Sequence, residues 1–470
     1  MDTPMNQPVV RDRCPPPKSV ADTEIELNSL LRLLLKTVYV RGLENASQLS
    51  SALKLPISVL NELLEEAKER GVLEVLGAAG QRLSAEFRYG ITERGRQWAS
   101  DALDQSLYVG PSPVSLADFH RQIARQRVTE EQVQPDNLVK ALSDLVVSRS
   151  MIRALGPAVN SGRSVLLYGS PGNGKTTIAS ILGGVFTDII HIPYCIEIDG
   201  QIIKVFDPTL HQPMEDLTED LTGAVSEEVS LRTETIDRRW VACKRPLVIT
   251  GGELTLAMLD LNFNPYSRFY EAPLHMKAIG GTYVIDDLGR QLVRPDDLLN
   301  RWIGPMETRV DYLTLNTGKT FEIPFDELLI FSTNLMPEDI MDPAFLRRIP
   351  YKLGIPAPTP EQYLETFRIE SSSMGIDYDD DIGRYILREV TERFEQPLSF
   401  YQPKFILQQV YHACRFEGRD PELTEEYIHE ACQHLAPRSE DLGMTRFTYS
   451  WDKEQKKGRG EEDWVPPDGA

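Results

Sequence analysis

The segment SVLLYGSPGNGKTTIASILGGVF, from Ser164 to Phe186, constrains this chain more than any other. A short apolar run leads into a glycine-rich turn, and an apolar-periodic stretch follows. That is the strand–loop–helix context a phosphate-binding loop requires. Gly169, Gly172 and Gly174 let backbone N–H groups turn inward, with Ser170, Pro171 and Asn173 completing the turn. Lys175 supplies a point charge for the β- and γ-phosphates, the Thr176 hydroxyl suits Mg²⁺, and Thr177 continues the helix start. The expected ligands are ATP and Mg²⁺, and a parallel α/β sheet must surround the loop.

Such a site needs a carboxylate at the end of a buried strand. GGTYVIDDLGR supplies it, with a strand over Thr282–Ile285 running into Asp286 and Asp287. Asp286 is the expected second metal-side residue beside Thr176. Asp287 stands where hydrolysing P-loop enzymes usually carry a glutamate to orient the attacking water, and it is one methylene shorter. A third apolar strand in DELLIFSTNLMPED ends at Asn334, and DPAFLRRIPYKL reads as a short helix ending in Arg347 and Arg348.

Composition narrows the remaining classes. A formal net charge of -21 and 71 acidic against 50 basic residues disfavour phosphate backbones and anionic membranes as partners. The five scattered cysteines show neither CxxC nor zinc-ligand spacing, and no apolar run reaches membrane-spanning length, so a cytoplasmic protein is expected. The seven histidines show no metal-ligand spacing; His191 and His211 read as surface or packing residues.

Upstream, EIELNSLLRLLLKTVYVRG, ASQLSSALKL and PISVLNELLEEAKERG read as helices, the third opening with Pro56 at N1. Two strand-like runs and the helix TERGRQWASDAL follow, and the order resembles a winged helix. Its third helix carries Glu62, Glu65, Glu66 and Glu69 against Lys68 and Arg70, so its charge favours protein docking over DNA, with DNA the alternative.

The Walker A and B segments, Asn334 and DPAFLRR, in that order, resemble an AAA+ ATPase over roughly residues 118–437. The resemblance implies that Asn334 is the first sensor and that Arg347 or Arg348 is a finger reaching the next subunit's nucleotide. It also implies a ring-type homo-oligomer, with a hexamer the expected size, acting on a protein substrate that the sequence does not name. The hairpin VDYLTLNTGKTFEIP resembles the pre-sensor hairpin of the MoxR-like group. GGELTLAMLDL, FYEAPL and LLNRWIGPMETRV resemble bacterial chaperone-type ATPases associated with Flp pilus assembly. In related sequences the third lid helix opens with an arginine sensor; here Lys404 stands at that position, keeping the charge without the planar fork.

The expected fold is an α/β P-loop AAA+ core with an α-helical lid, preceded by a small α+β winged-helix-like domain. The expected division is a disordered leader at 1–22, the winged-helix-like domain at 23–106, a linker at 107–118, the core at 119–355, the lid at 356–437 and a disordered tail at 438–470. An insertion at about 190–245 contains a hairpin at Asp199-Gly200 and an acidic stretch, read either as a solvated loop or as a docking element.

Overall fold

The computed structural model describes residues 14–78, 87–214 and 236–435. The chain forms two compact units, Met1–Ala357 and Pro358–Ala470.

At the centre of the first unit is a parallel sheet in the order Tyr351–Gly354, Val165–Tyr168, Leu328–Thr333, Thr282–Ile285, Leu247–Thr250. Thr282–Ile285 and Leu328–Thr333 are buried at every position. Their side chains alternate between two cores. Val284 and Ile330 pack with Ile178, Ala179 and Leu182 of the P-loop helix, whereas Tyr283, Ile285 and Phe331 pack with Leu298 and Trp302 on the other face. Continuous apolar runs, rather than alternating ones, follow from this double cover. The edge strand Tyr351–Gly354 departs from the sequence pattern. The helix in DPAFLRRIPYKL spans only Pro343–Leu346, and the chain then crosses Pro350 to pair beside the P-loop strand.

A mixed sheet of Asn262–Asn264, Phe269–Glu271, Gln201–Lys204, Cys195–Ile198 and Val114–Ser115 lies in the same unit. Its hairpin turns at Asp199 and Gly200, both with positive φ (55° and 77°), as a two-residue type I′ loop demands. The hairpin of Val310–Thr314 and Thr320–Pro324 shares its core. His191 and His211 are both buried here; His211 accepts from the Asp207 N–H and donates to the Lys277 carbonyl. The acidic stretch at 215–235 lies outside the described residues.

Helices α1 (Leu27–Arg41), α2 (Ala46–Leu53) and α3 (Ile57–Glu69) precede the antiparallel strands Leu73–Ala78 and Phe87–Ile91 and helix α4 (Glu93–Gln105). Pro56 is the N-cap of α3 rather than its first helical residue. Two further expectations need correction. Residues 14–22 are not a free leader: Cys14 and Val20 are buried, the Cys14 carbonyl accepts from Asp237 N–H, and Val20 N–H donates to Glu62. Residues 1–13 lie outside the described residues. Nor is 107–118 a free linker. Leu107 and Ser112 N–H groups bond to the Ser267 and Leu53 carbonyls, and Val114–Ser115 joins the mixed sheet. Pro111 and Pro113 fix an extended path that suits strand pairing at its edge.

Arg245 lies between the strands Trp240–Lys244 and Leu247–Thr250. It is buried, donates to Glu131 Oε2 at 2.8 Å, and reaches the Gln126 and Gly280 carbonyls. Arg245→Leu strands Glu131 without its cation and is expected to lower stability by about 3–5 kcal/mol. A shift of the chemical denaturation midpoint checks this.

Among its described residues the second unit packs four α-helices, Pro360–Met374, Asp380–Arg388, Gln402–Phe416 and Glu425–Leu435, around Tyr363, Phe367, Ile386, Ile406 and Val410. A capping box of Thr359 and Gln362 starts the first helix. Residues 436–470 lie outside the described residues.

Candidate functional site

The P-loop joins the strand Val165–Tyr168 to the helix Lys175–Gly183. Gly169 has φ 145°, and a Cβ there would meet the Ile355 carbonyl oxygen at 2.4 Å. Gly172 and Gly174 lie at φ 78° and 79°, and Gly174 caps the helix. The loop conformation is therefore reserved for glycine. Gly169→Ala is expected to destabilise the chain by about 1–3 kcal/mol and to weaken nucleotide binding. Thermal unfolding with and without nucleotide checks both.

Lys175 is buried, and its ammonium donates to the Gly169 and Ser170 carbonyls at 3.0 and 2.9 Å and to Asn334 Oδ1 at 2.6 Å. Burial lowers its pKa, opposed by Asp286 and Asp287. Asn334 Nδ2 in turn donates to Asp287 Oδ1 at 2.7 Å. Thr176 Oγ1 donates to Asp286 Oδ2 at 2.7 Å. Sequence-distant motifs thus meet in two short chains of hydrogen bonds, Thr176–Asp286 and Lys175–Asn334–Asp287. Ser170, Pro171 and Thr177 are exposed along the loop and helix start.

These residues fit a magnesium nucleotide. Thr176 and Asp286 offer hard oxygen ligands, and Mg²⁺ ordinarily takes the rest from water and phosphate. No cluster of three or more metal-ligating side chains occurs among the described residues. Asn173, inside the loop, is buried with neither amide atom hydrogen-bonded, whereas buried polar groups are normally paired. An ammonium at a helix N-terminus beside an unpaired amide is a donor set for phosphate oxygens.

Sequence reasoning missed what shapes the turn after Asp286. Asp287 adopts φ 48°, a left-handed conformation that aspartate tolerates better than most residues. Gln291 closes this turn: its Nε2 donates to the Asp286 and Gly251 carbonyls, and its Oε1 accepts from Gly289 N–H. Asp286 N–H bonds to the Thr250 carbonyl, and Thr333 Oγ1 donates to the Leu288 carbonyl. The glutamine of IDDLGRQ is plain in the sequence, but nothing there signals that its side chain folds back.

The arginines are not part of this cluster. Arg348 donates to Glu307 Oε1 at 2.6 Å and to the Ala344 carbonyl at 2.7 Å, and its own carbonyl accepts from Ser164 Oγ, one strand's length from Gly169. Arg347 is exposed and forms no ion pair among the described residues. Lys404 belongs to the second unit, exposed in the first turn of Gln402–Phe416.

No curated protein matches the chain. A family described as a domain of unknown function, DUF8689, matches residues 359–434. Similar solved structures include a RuvB point mutant from Thermotoga maritima, 14% identical over 68% of this chain and 76% of that one, with a TM-score of 0.35. NtrX from Brucella abortus is 13% identical over 64% and 59%, with a TM-score of 0.38. Domain III of the Thermotoga maritima replication initiation protein DnaA is 11% identical over 66% and 100%, with a TM-score of 0.34. The chain's own architecture is a first unit whose five-stranded parallel α/β sheet carries the P-loop, and an α-helical second unit.

Proposed function

We propose that this chain is a cytoplasmic, ring-forming AAA+ ATPase that binds Mg-ATP at the P-loop and couples hydrolysis to remodelling or assembly of a protein partner. The observation that carries this reading is the Lys175–Asn334–Asp287 chain of hydrogen bonds beside Thr176–Asp286. The cation for the phosphates, the sensor and the base for water are already in contact. Phosphate oxygens are stronger acceptors for Lys175 than the neutral Asn334 amide, so ATP binding draws the ammonium away and leaves Asn334 Oδ1 free to accept from water. Asp287 then takes the proton of that water as it attacks. Thr176 and Asp286 would hold Mg²⁺, which would supply positive charge to the phosphates. Arg347 of a neighbouring copy supplies the remaining positive charge, since Arg348 is engaged within its own chain.

The hairpin at Val310–Pro324 supports placing the protein near MoxR-like ATPases, and the sequence phrases support the chaperone-type, pilus-associated branch. In α3 the cations are engaged, Lys68 with Glu65 at 2.8 Å and Arg70 with Glu66 at 2.6 Å, which supports a protein partner rather than DNA for the N-terminal domain. Asp287→Asn is expected to cut phosphate release by about 10²–10⁴-fold with ATP binding retained. Unchanged turnover would refute Asp287 as the base. A second reading, an ATP-dependent switch with slow turnover, is favoured by the Asn334 bond that occupies Asp287 and by its short side chain. Wild-type turnover no faster than that of Asp287→Asn would select it.

A further inference from the structure

Helix α1 buries a lysine directly after its leucine run. Lys36 is 4% exposed, yet among the described residues no carboxylate lies within ion-pairing distance and its ammonium donates to the Ser106 carbonyl alone, at 2.9 Å. A buried ammonium with a single neutral acceptor is unusual, because buried charges are ordinarily paired. Its surroundings are not solid protein. Lys36 lines a cavity of about 360 Å³ together with Arg32, Ser29, Gln105, Glu197 and Gln201. Arg32 likewise has no carboxylate among the described residues and donates to Gln105 Oε1 at 3.0 Å.

The acid in the cavity does not neutralise these cations. Glu197 accepts from Ser29 Oγ at 3.4 Å, and burial pushes it up to about 7, so near neutral pH it carries only part of its charge. Lys36, lowered to about 8 by burial and by Arg32, remains mostly protonated there. The walls come from α1, the end of α4 and the Asp199-Gly200 hairpin. They belong to the N-terminal helices and to the mixed sheet, which already share a core through Cys195. The volume lies within the range of small-molecule sites.

We propose that this cavity binds a small anionic molecule, through a carboxylate or phosphate group held by Lys36 and Arg32, and that the ligand ties the N-terminal helices to the mixed sheet. The site is separate from the P-loop and uses none of its residues.

Calorimetric titration of the full chain with inorganic phosphate, and separately with succinate, tests this. Binding of either probe is expected, and the probe that binds identifies the anionic group. Lys36→Met, which keeps the apolar stem, is expected to weaken binding by about tenfold or more. Arg32→Gln, at an exposed position, should weaken it in the same direction and serves if the methionine variant does not fold. Both titrations use the full chain carrying Lys175→Ala, whose P-loop has lost its phosphate cation, so that binding reports this cavity and not the nucleotide site. No binding of either probe by that chain up to about 10 mM would overturn the proposal. So would an affinity in both cavity variants equal to that of the chain without them.

Discussion

Replacing Lys175 with alanine lowers ATP affinity by between about a hundredfold and ten-thousandfold, because two charge-assisted hydrogen bonds to phosphate disappear with the ammonium. Lys175 is buried at the start of its helix, and its three bonds go to two loop carbonyls and to Asn334. Those acceptors hold the ammonium at the loop without a carboxylate partner, so phosphate meets a cation that is positioned but not neutralised. Alanine removes the charge and also releases Asn334, which alone links the lysine to Asp287. The sheet strands do not depend on the side chain, so the fold should survive. Equilibrium titration with a fluorescent ATP analogue checks the affinity, and circular dichroism checks the fold. Affinity equal to the wild type would rule out the P-loop as the nucleotide site.

Arg347→Ala is expected to reduce turnover by about 10³–10⁵-fold, the range for losing an arginine finger, with ATP affinity little changed. The neighbouring Arg348→Ala should behave differently. Arg348 pairs with half-exposed Glu307, an ion pair of the kind that contributes at most about 1 kcal/mol to stability. Its loss should alter stability slightly and turnover little. Phosphate release by both variants at matched protein concentration separates them, and a larger turnover defect in Arg348→Ala would reverse the assignment.

Much of the core is legible in the sequence because its strands are covered on both faces. Val165–Tyr168, Thr282–Ile285 and Leu328–Thr333 are mostly apolar and lack a polar alternation, and each is followed by residues of the candidate site. The two hairpins are legible for a different reason: Asp199-Gly200 and the turn ending at Gly318 need positive φ, which restricts the residues that can stand there. The edge strand Tyr351–Gly354 is hidden because half its positions are exposed and only four residues separate it from a helix. Residues 107–118 resemble a linker because the Leu107 and Ser112 N–H groups and the Val114–Ser115 pairing reach distant partners through the backbone, which leaves no side-chain period. At the site, residue types and spacing reveal Gly169–Thr176, Asp286, Asp287 and Asn334. Gln291 is invisible because its role rests on a side chain folding back across one turn. Lys36 is hidden because a single lysine within a leucine-rich helix reads as an ordinary boundary residue until its burial is known.

The composite site can be tested by mixing two inactive variants, Lys175→Ala and Arg347→Ala, and measuring phosphate release. In the proposed ring, an Arg347→Ala subunit would keep its own P-loop and would receive Arg347 from a Lys175→Ala neighbour. The mixture should therefore regain turnover that neither variant has alone. A mixture that co-assembles yet stays as inactive as its components would contradict a site shared between subunits.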